Sequence, residues 1–279
     1  MGAVAIELRT GVAIEYAEQG DRSGTPLLLL PGLGDSWQSF KPVLDYLPDS
    51  IRAFALTLRG HGDSTHPPEG YGFRDFAADI EGFMDALTLP AAVIAAHSAS
   101  GFFAQRLAID HPRKVLGLVF VASPLTLRSH PGLRQAWDST ISKLADPVDP
   151  DFVRETQAGT LAKPLPQDFF ETLVAEAMKV PARVWRDVFS HLLDDDLIQE
   201  VGKIQSPTLV VWGDGDEGPI ASRSGCARSR HQRIATGRVR RRRALAALGR
   251  TQALCLRSHG LHPVARGTSK FRNLRAPTS

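Results

Sequence analysis

The chain has 279 residues, 43% hydrophobic and 23% charged, with 24 Gly and 19 Pro, which fits one globular domain or a domain carrying an insertion. That composition excludes disorder or fibre for most of its length. The longest apolar runs, such as 26–30 and 91–96, fall far short of the roughly 20 residues a membrane-spanning helix requires. Met1 is followed by Gly, Ala and Val and soon by Glu7, with no basic stretch leading into an apolar segment, so a cytoplasmic protein is expected.

The net charge of +3 hides an asymmetry. Residues 1–220 hold 18 Lys+Arg and all 30 Asp+Glu, a net −12, whereas residues 221–279 hold 15 Lys+Arg and no acid, a net +15. Both cysteines, Cys226 and Cys255, fall in that second part, without metal-ligand spacing, so neither a disulfide nor a zinc site is expected.

In chain order, 3–8 and 12–16 read as an antiparallel pair, 26–30 as a buried strand, 36–46 as helical and 52–58 as a strand. An amphipathic helix at 73–87 follows, then a strand at 92–96, a helix at 99–110 and a strand at 115–121. Alternation of this kind predicts an α/β fold, a mostly parallel sheet flanked by helices. From 123 to 205 the period is helical and polar, broken at Pro131, Pro147, Pro150, Pro164 and Pro166, before a strand returns at 208–212. The expected organisation is a core of 1–122, a helical cap of 123–205, an acid-bearing strand in 206–220 and an atypical Arg-rich tail of 221–279.

The sharpest local feature is Ala96-His97-Ser98-Ala99-Ser100-Gly101, set between a predicted strand and a predicted helix. A serine on so tight a turn has its hydroxyl pushed out at the carboxyl end of the sheet, and small flanking residues are needed where the backbones crowd. The helix beginning beyond it aims free N–H groups at an oxygen that becomes negative in acyl transfer. The plainer alternative is a serine that caps the helix.

With these segments the sequence resembles the α/β-hydrolase superfamily, on its serine esterase and lactonase side. Leu27 to Gly34 is similar to that family's strand and oxyanion loop, with Pro31 where His is common. Arg59-Gly60-His61-Gly62-Asp63-Ser64 is similar to its structural turn, and Pro207 to Asp216 to the strand that delivers the triad acid. The resemblance implies Ser98 as nucleophile, Asp216 as the acid that orients the base, and the backbone N–H groups of Leu33 and Ala99 as oxyanion donors. It makes His61 and His97 structural, and calls for no cofactor and no metal. Asp216 also has a plain reading as a turn residue, because Asp-Gly-Asp favours turns. Gly32-Leu33-Gly34 opens like a dinucleotide fingerprint, but Trp37 stands where the third Gly would fall. The resemblance associates a carboxylate nucleophile with epoxide hydrolases and haloalkane dehalogenases, so serine at the elbow argues against those branches. Trp137, Phe152, Phe169, Phe170, Trp185 and Phe189 in the cap predict a mainly apolar pocket.

A serine hydrolase needs an imidazole within reach of the hydroxyl, and chain order in this family puts it after the acid. His231, His259 and His262 are the candidates, and none stands in the expected strand, Gly-His loop and final helix. Reading the bases one position later restores that ending. Arg243-Ala244 permits Gly-His, residues 247–251 permit His-Trp-Glu-Glu-Pro, and residues 252–261 permit Arg-Arg-Phe-Ala-Ser-Asp-Leu-Thr-Ala-Phe. Free third bases fall only in the middle of each shifted codon, and the outer two are largely fixed by the written residues. The sequence therefore predicts a frameshift between about Glu217 and Arg223. The expected activity is hydrolysis of an ester, lactone or related acyl bond of a small molecule. The alternatives are a catalytically inactive member of the family, or a nucleic-acid binder acting through its basic tail. A membrane partner is not expected, and nucleic acid is an unfavoured one, since no aromatic residues interleave the arginines.

Overall fold

The computed structural model describes residues 2–128 and 130–213, and the backbone of 234–239. Asp216, His231, His259, His262, Cys226 and Cys255 lie outside the described residues.

Among the described residues, eight strands form one sheet: β1 (Val4–Glu7), β2 (Ala13–Gln19), β3 (Thr25–Leu30), β4 (Ile51–Leu56), β5 (Ala92–His97), β6 (Val115–Val121), β7 (Thr208–Gly213) and β8 (Ile234–Val239). Their order is β1-β2-β4-β3-β5-β6-β7-β8. β1 pairs antiparallel with β2, and β2 with β4, whereas every later pair is parallel. The apolar runs of the central strands follow from burial on both faces. Leu28 and Leu30 of β3, Phe54 and Leu56 of β4 and Ile94 of β5 point into the larger core. Leu27, Leu29, Ala53 and Ala55 point into a second core on the other face, with Trp37, Leu44 and Leu47.

The helices are α1 (Lys41–Leu44), α2 (Phe73–Ala86), α3 (Ser100–Asp110), α4 (Pro131–Ser139), α5 (Pro150–Gly159), α6 (Gln167–Ala177) and α7 (Ala182–Asp194). On α2 the buried residues Phe73, Phe76, Ala77, Ile80, Phe83 and Met84 recur at helical spacing and form one face. Two of its rings stack on α3, Phe73 on Phe102 with centroids 5.2 Å apart and Phe76 on Phe103 at 4.0 Å. Residues 36–46, expected as one helix, divide instead into a 3₁₀ turn (Trp37–Phe40) and the single turn α1. Pro42 explains the division, since it has no N–H to continue a helix across that point. Pro131 and Pro150, read as breaks, instead open α4 and α5, where a missing N–H costs nothing. No helix among the described residues is long and apolar enough to cross a membrane.

One buried ion pair fixes the entry to α2. Arg59, just beyond β4, donates through Nε and Nη2 to both carboxylate oxygens of Asp79, at 2.5 and 2.6 Å, and through Nη1 to the Gly70 carbonyl at 2.7 Å. Thr10 Oγ1 adds a 2.7 Å bond to Asp79, which is 2% exposed. Removing one partner strands the other charge in the core. Asp79→Ala is expected to lower unfolding free energy by roughly 3–5 kcal/mol, read from urea denaturation.

Candidate active site

The parallel register carries three chain ends to one edge of the sheet. Leu30 lies beside Ala96, His97 beside Val121, and Val121 beside Val211. The loop after β3, the turn after β5 and the end of β7 therefore emerge together. This carboxyl edge is where open α/β sheets hold ligands.

Ser98 occupies the turn between β5 and α3 with φ +52°, a left-handed conformation unusual for a residue with a side chain. Its N–H donates to Val121 O at 3.0 Å, and its carbonyl accepts from Gly101 N–H at 3.0 Å, which closes the turn. Room for the turn comes from small neighbours. A methyl group on Gly101 would lie 1.7 Å from Ser123 Oγ, and one on Gly32 would lie 3.4 Å from Ser98 Cβ. The β3 loop is thus in contact with the elbow, and the Ser100 hydroxyl ties the two by donating to the Pro31 carbonyl. Ser98 is partly exposed, whereas Ala99 and Ser100 are buried. Among the described residues, neither the Leu33 N–H nor the Ala99 N–H has a protein acceptor.

Two polar residues that sequence reading passed over complete this edge. Asp35 closes the Gly32–Asp35 turn through its N–H, 3.1 Å from the Gly32 carbonyl. Its carboxylate accepts from Gln157 Nε2 at 3.3 Å and lies 3.9 Å from His97 Nδ1. Gln157 Nε2 also donates to the Gly34 carbonyl at 3.3 Å. Burial pushes the Asp35 carboxyl above its usual range, although His97 and the Gln157 amide pull in the other direction. Gln157 comes from α5, 122 residues away, so no local spacing could have announced it. Gly34 has φ +86°, and the space its missing side chain leaves is filled by Trp185 of α7, whose Cη2 would stand 2.7 Å from a methyl there. Trp185 in turn meets Phe152 edge to face at 5.5 Å. The cap thereby rests on the β3 loop.

Of the aromatic cap residues, Trp185 is wholly buried, while Trp137, Phe152, Phe170 and Phe189 pack partly buried against the same core. His61 lies in the core and away from solvent, with Nδ1 2.8 Å from the Arg59 carbonyl and Nε2 without a partner among the described residues. Asp216 falls just past β7, outside the described residues, as do all three later histidines. No group of three His, Cys, Asp or Glu side chains among the described residues is gathered to hold a metal ion.

A family model described as "alpha/beta hydrolase fold" matches residues 25–222. The chain belongs to the α/β-hydrolase family. Its curated relatives include epoxide hydrolase 4 of Mus musculus, 25% identical over 74% of this chain and 64% of that protein. The non-heme chloroperoxidase CPO-A1 of Kitasatospora aureofaciens is 28% identical over 75% of this chain and 80% of that one. The chain thus spans less than two thirds of the mouse relative's length. Among solved structures, an esterase from Exiguobacterium antarcticum superposes with a TM-score of 0.68 at 20% identity, over 85% of this chain and 90% of that chain, a likeness of fold.

Burial holds His61 neutral and lowers its pKa to about 4. The unfolded chain, titrating near 6.5, takes up the proton first. Its contribution is therefore fully present above about pH 6.5 and is lost as pH falls through about 4, a change of about 3 kcal/mol for one group. Urea unfolding at pH 7 and pH 4 should show this loss, and a His61→Gln variant should show less of it.

Proposed function

We propose that the chain is built as a serine hydrolase of small-molecule esters, lactones or related acyl compounds. The observation that carries this reading is the left-handed Ser98 at the strand-to-helix turn, with Gly32 of the β3 loop packed against it and the Leu33 and Ala99 N–H groups without acceptors among the described residues. In the proposed reaction Ser98 Oγ attacks the carbonyl carbon as its proton passes to an imidazole oriented by Asp216. The oxygen that becomes negative is held by the Leu33 and Ala99 N–H groups, each worth about 3 kcal/mol where such donors have been removed one at a time. The leaving alkoxide takes the proton from the imidazole and departs as an alcohol. Water, activated by the same imidazole, then cleaves the acyl-serine to the acid and regenerates Ser98.

Serine at the elbow favours acyl substrates over epoxides on chemical grounds. Opening an epoxide with a hydroxyl nucleophile leaves an ether on the enzyme, which has no carbonyl for water to attack, so turnover stops after one event. The epoxide hydrolase names among the relatives therefore do not transfer.

The base is proposed to come from the neighbouring reading frame, as the Gly-His permitted by Arg243-Ala244. Two observations support this. The family match ends at residue 222, inside the 217–223 interval where the acids run out. β7 is an interior strand, yet it is only half-buried along its whole length, and Leu116 and Val121 of neighbouring β6 are exposed, whereas interior parallel strands are ordinarily covered on both faces. The competing reading, an inactive member of the family, rests on the written tail, in which no histidine has Gly-His spacing.

The test uses a fluorophosphonate probe on both the written chain and a frame-restored chain. The restored chain is expected to label and to lose labelling in Ser98→Ala, while the written chain labels at least about 1,000-fold more slowly for want of its base. Rapid labelling that persists in Ser98→Ala would end the assignment. Sequencing the gene decides the frame independently: bases unable to encode Gly-His in either neighbouring frame would refute the shift.

A further inference from the structure

The carboxyl group of Asp35 stands where a negative charge is unwelcome. It sits on the turn that carries the Leu33 N–H, and the oxygen proposed to bind there becomes negative during acyl transfer. Two charges of one sign at such range, away from bulk water, repel by an amount that matters to a rate. Yet the group is not idle. It is the point at which three separately folded pieces meet: the β3 loop itself, the elbow through His97 at 3.9 Å, and the cap through Gln157 at 3.3 Å. The second Gln157 bond, to Gly34 O, and the seat of Trp185 over Gly34 act on the same four-residue turn.

We propose that Asp35 is a positioning residue for acyl transfer, tying the oxyanion loop to the cap through the Gln157 amide while its carboxyl stands 3.9 Å from His97 beside the elbow. This rests on the reading of Ser98 and Leu33 given above and adds the device that places Leu33. The groups facing Asp35 are His97 from β5, Gln157 from α5 and Ser39 from the 3₁₀ turn. Burial favours the protonated carboxyl. Losing that proton at higher pH leaves a charge beside the oxyanion site and weakens the native state, because a carboxyl raised on folding stabilises fully below its unfolded value near 3.9 and loses this as pH rises through the folded one.

Three variants test the role by hydrogen exchange at the peptide containing residues 28–36. Asp35→Ala removes the Gln157–Asp35 bond and should quicken exchange there about tenfold, Gln157→Leu removes that bond and the one to the Gly34 carbonyl and should quicken it at least as much, while peptides of α2 are unchanged. Asp35→Asn keeps an acceptor for Gln157 and carries no charge, so its exchange should stay within about twofold of wild type. In urea unfolding between pH 4 and 8, wild type should lose stability relative to Asp35→Asn as pH rises. On a frame-restored chain, Asp35→Ala should slow fluorophosphonate labelling about tenfold and Asp35→Asn should rescue it. Exchange unchanged in Asp35→Ala, or Asp35→Asn as fast as Asp35→Ala, overturns the proposal, as does a stability difference that is flat or of opposite sign with pH. A restored chain that never labels defeats the hydrolase reading alone, because the exchange and urea measurements decide Asp35 without catalysis.

Discussion

Everything at the carboxyl edge depends on how the chain turns at Ser98. Holding a serine at positive φ costs about 1–2 kcal/mol relative to an ordinary conformation, and the turn persists because its surroundings leave no alternative. Upstream, β5 is locked between β3 and β6 by parallel pairing, which fixes where Ser98 leaves the sheet. Downstream, α3 is buried from Ser100 to Ala108 and stacked on α2, so it cannot rotate to relax the turn. Ala122, at the adjacent end of β6, is held at positive φ (+47°) as well, its N–H bonded to the Val211 carbonyl.

The same economy governs the supports around it. Arg59 and Asp79 hold the segment between β4 and α2, and α2 is the surface on which α3 is stacked. A disturbance at Asp79, remote from the catalytic edge in sequence, is therefore transmitted through Phe76 and Phe103 to the helix that follows the nucleophile. On the opposite side the cap descends through Trp185 and Gln157 onto Gly34 and Asp35. The β3 loop is thus clamped from above by the cap and from behind by the Ser100 hydroxyl on Pro31.

The fold was legible wherever local pattern and tertiary environment agree. β6 was read from 115–121 with the observed bounds, because a run of apolar residues between turn signals leaves little freedom. α2 was legible from its periodicity, and the elbow from the crowding of small residues around Ser98. The helical reading of 36–46 holds, but its division into a 3₁₀ turn and a single α turn was not legible, since a proline inside an apolar pattern divides a helix without erasing its period. Asp35 and Gln157 went unnoticed for a different reason. An aspartate two residues past a Gly-Leu-Gly reads as turn chemistry, and a glutamine in a polar helix reads as surface. Their meaning arises only from a contact 122 residues apart, which no local window contains.

The far end of the sheet gives the last constraint. A central parallel strand is apolar because helices cover both its faces, and Leu209, Val210 and Val211 of β7 have that character while remaining half-buried. The residues that follow change abruptly in charge at about position 220 and stop matching the family at 222. The half-burial of β7, the change in charge near residue 220 and the end of the family match at residue 222 lie close together in the chain. The proposed shift of frame would account for the last two together, since it would exchange a Gly-His ending for arginine-rich, acid-free residues.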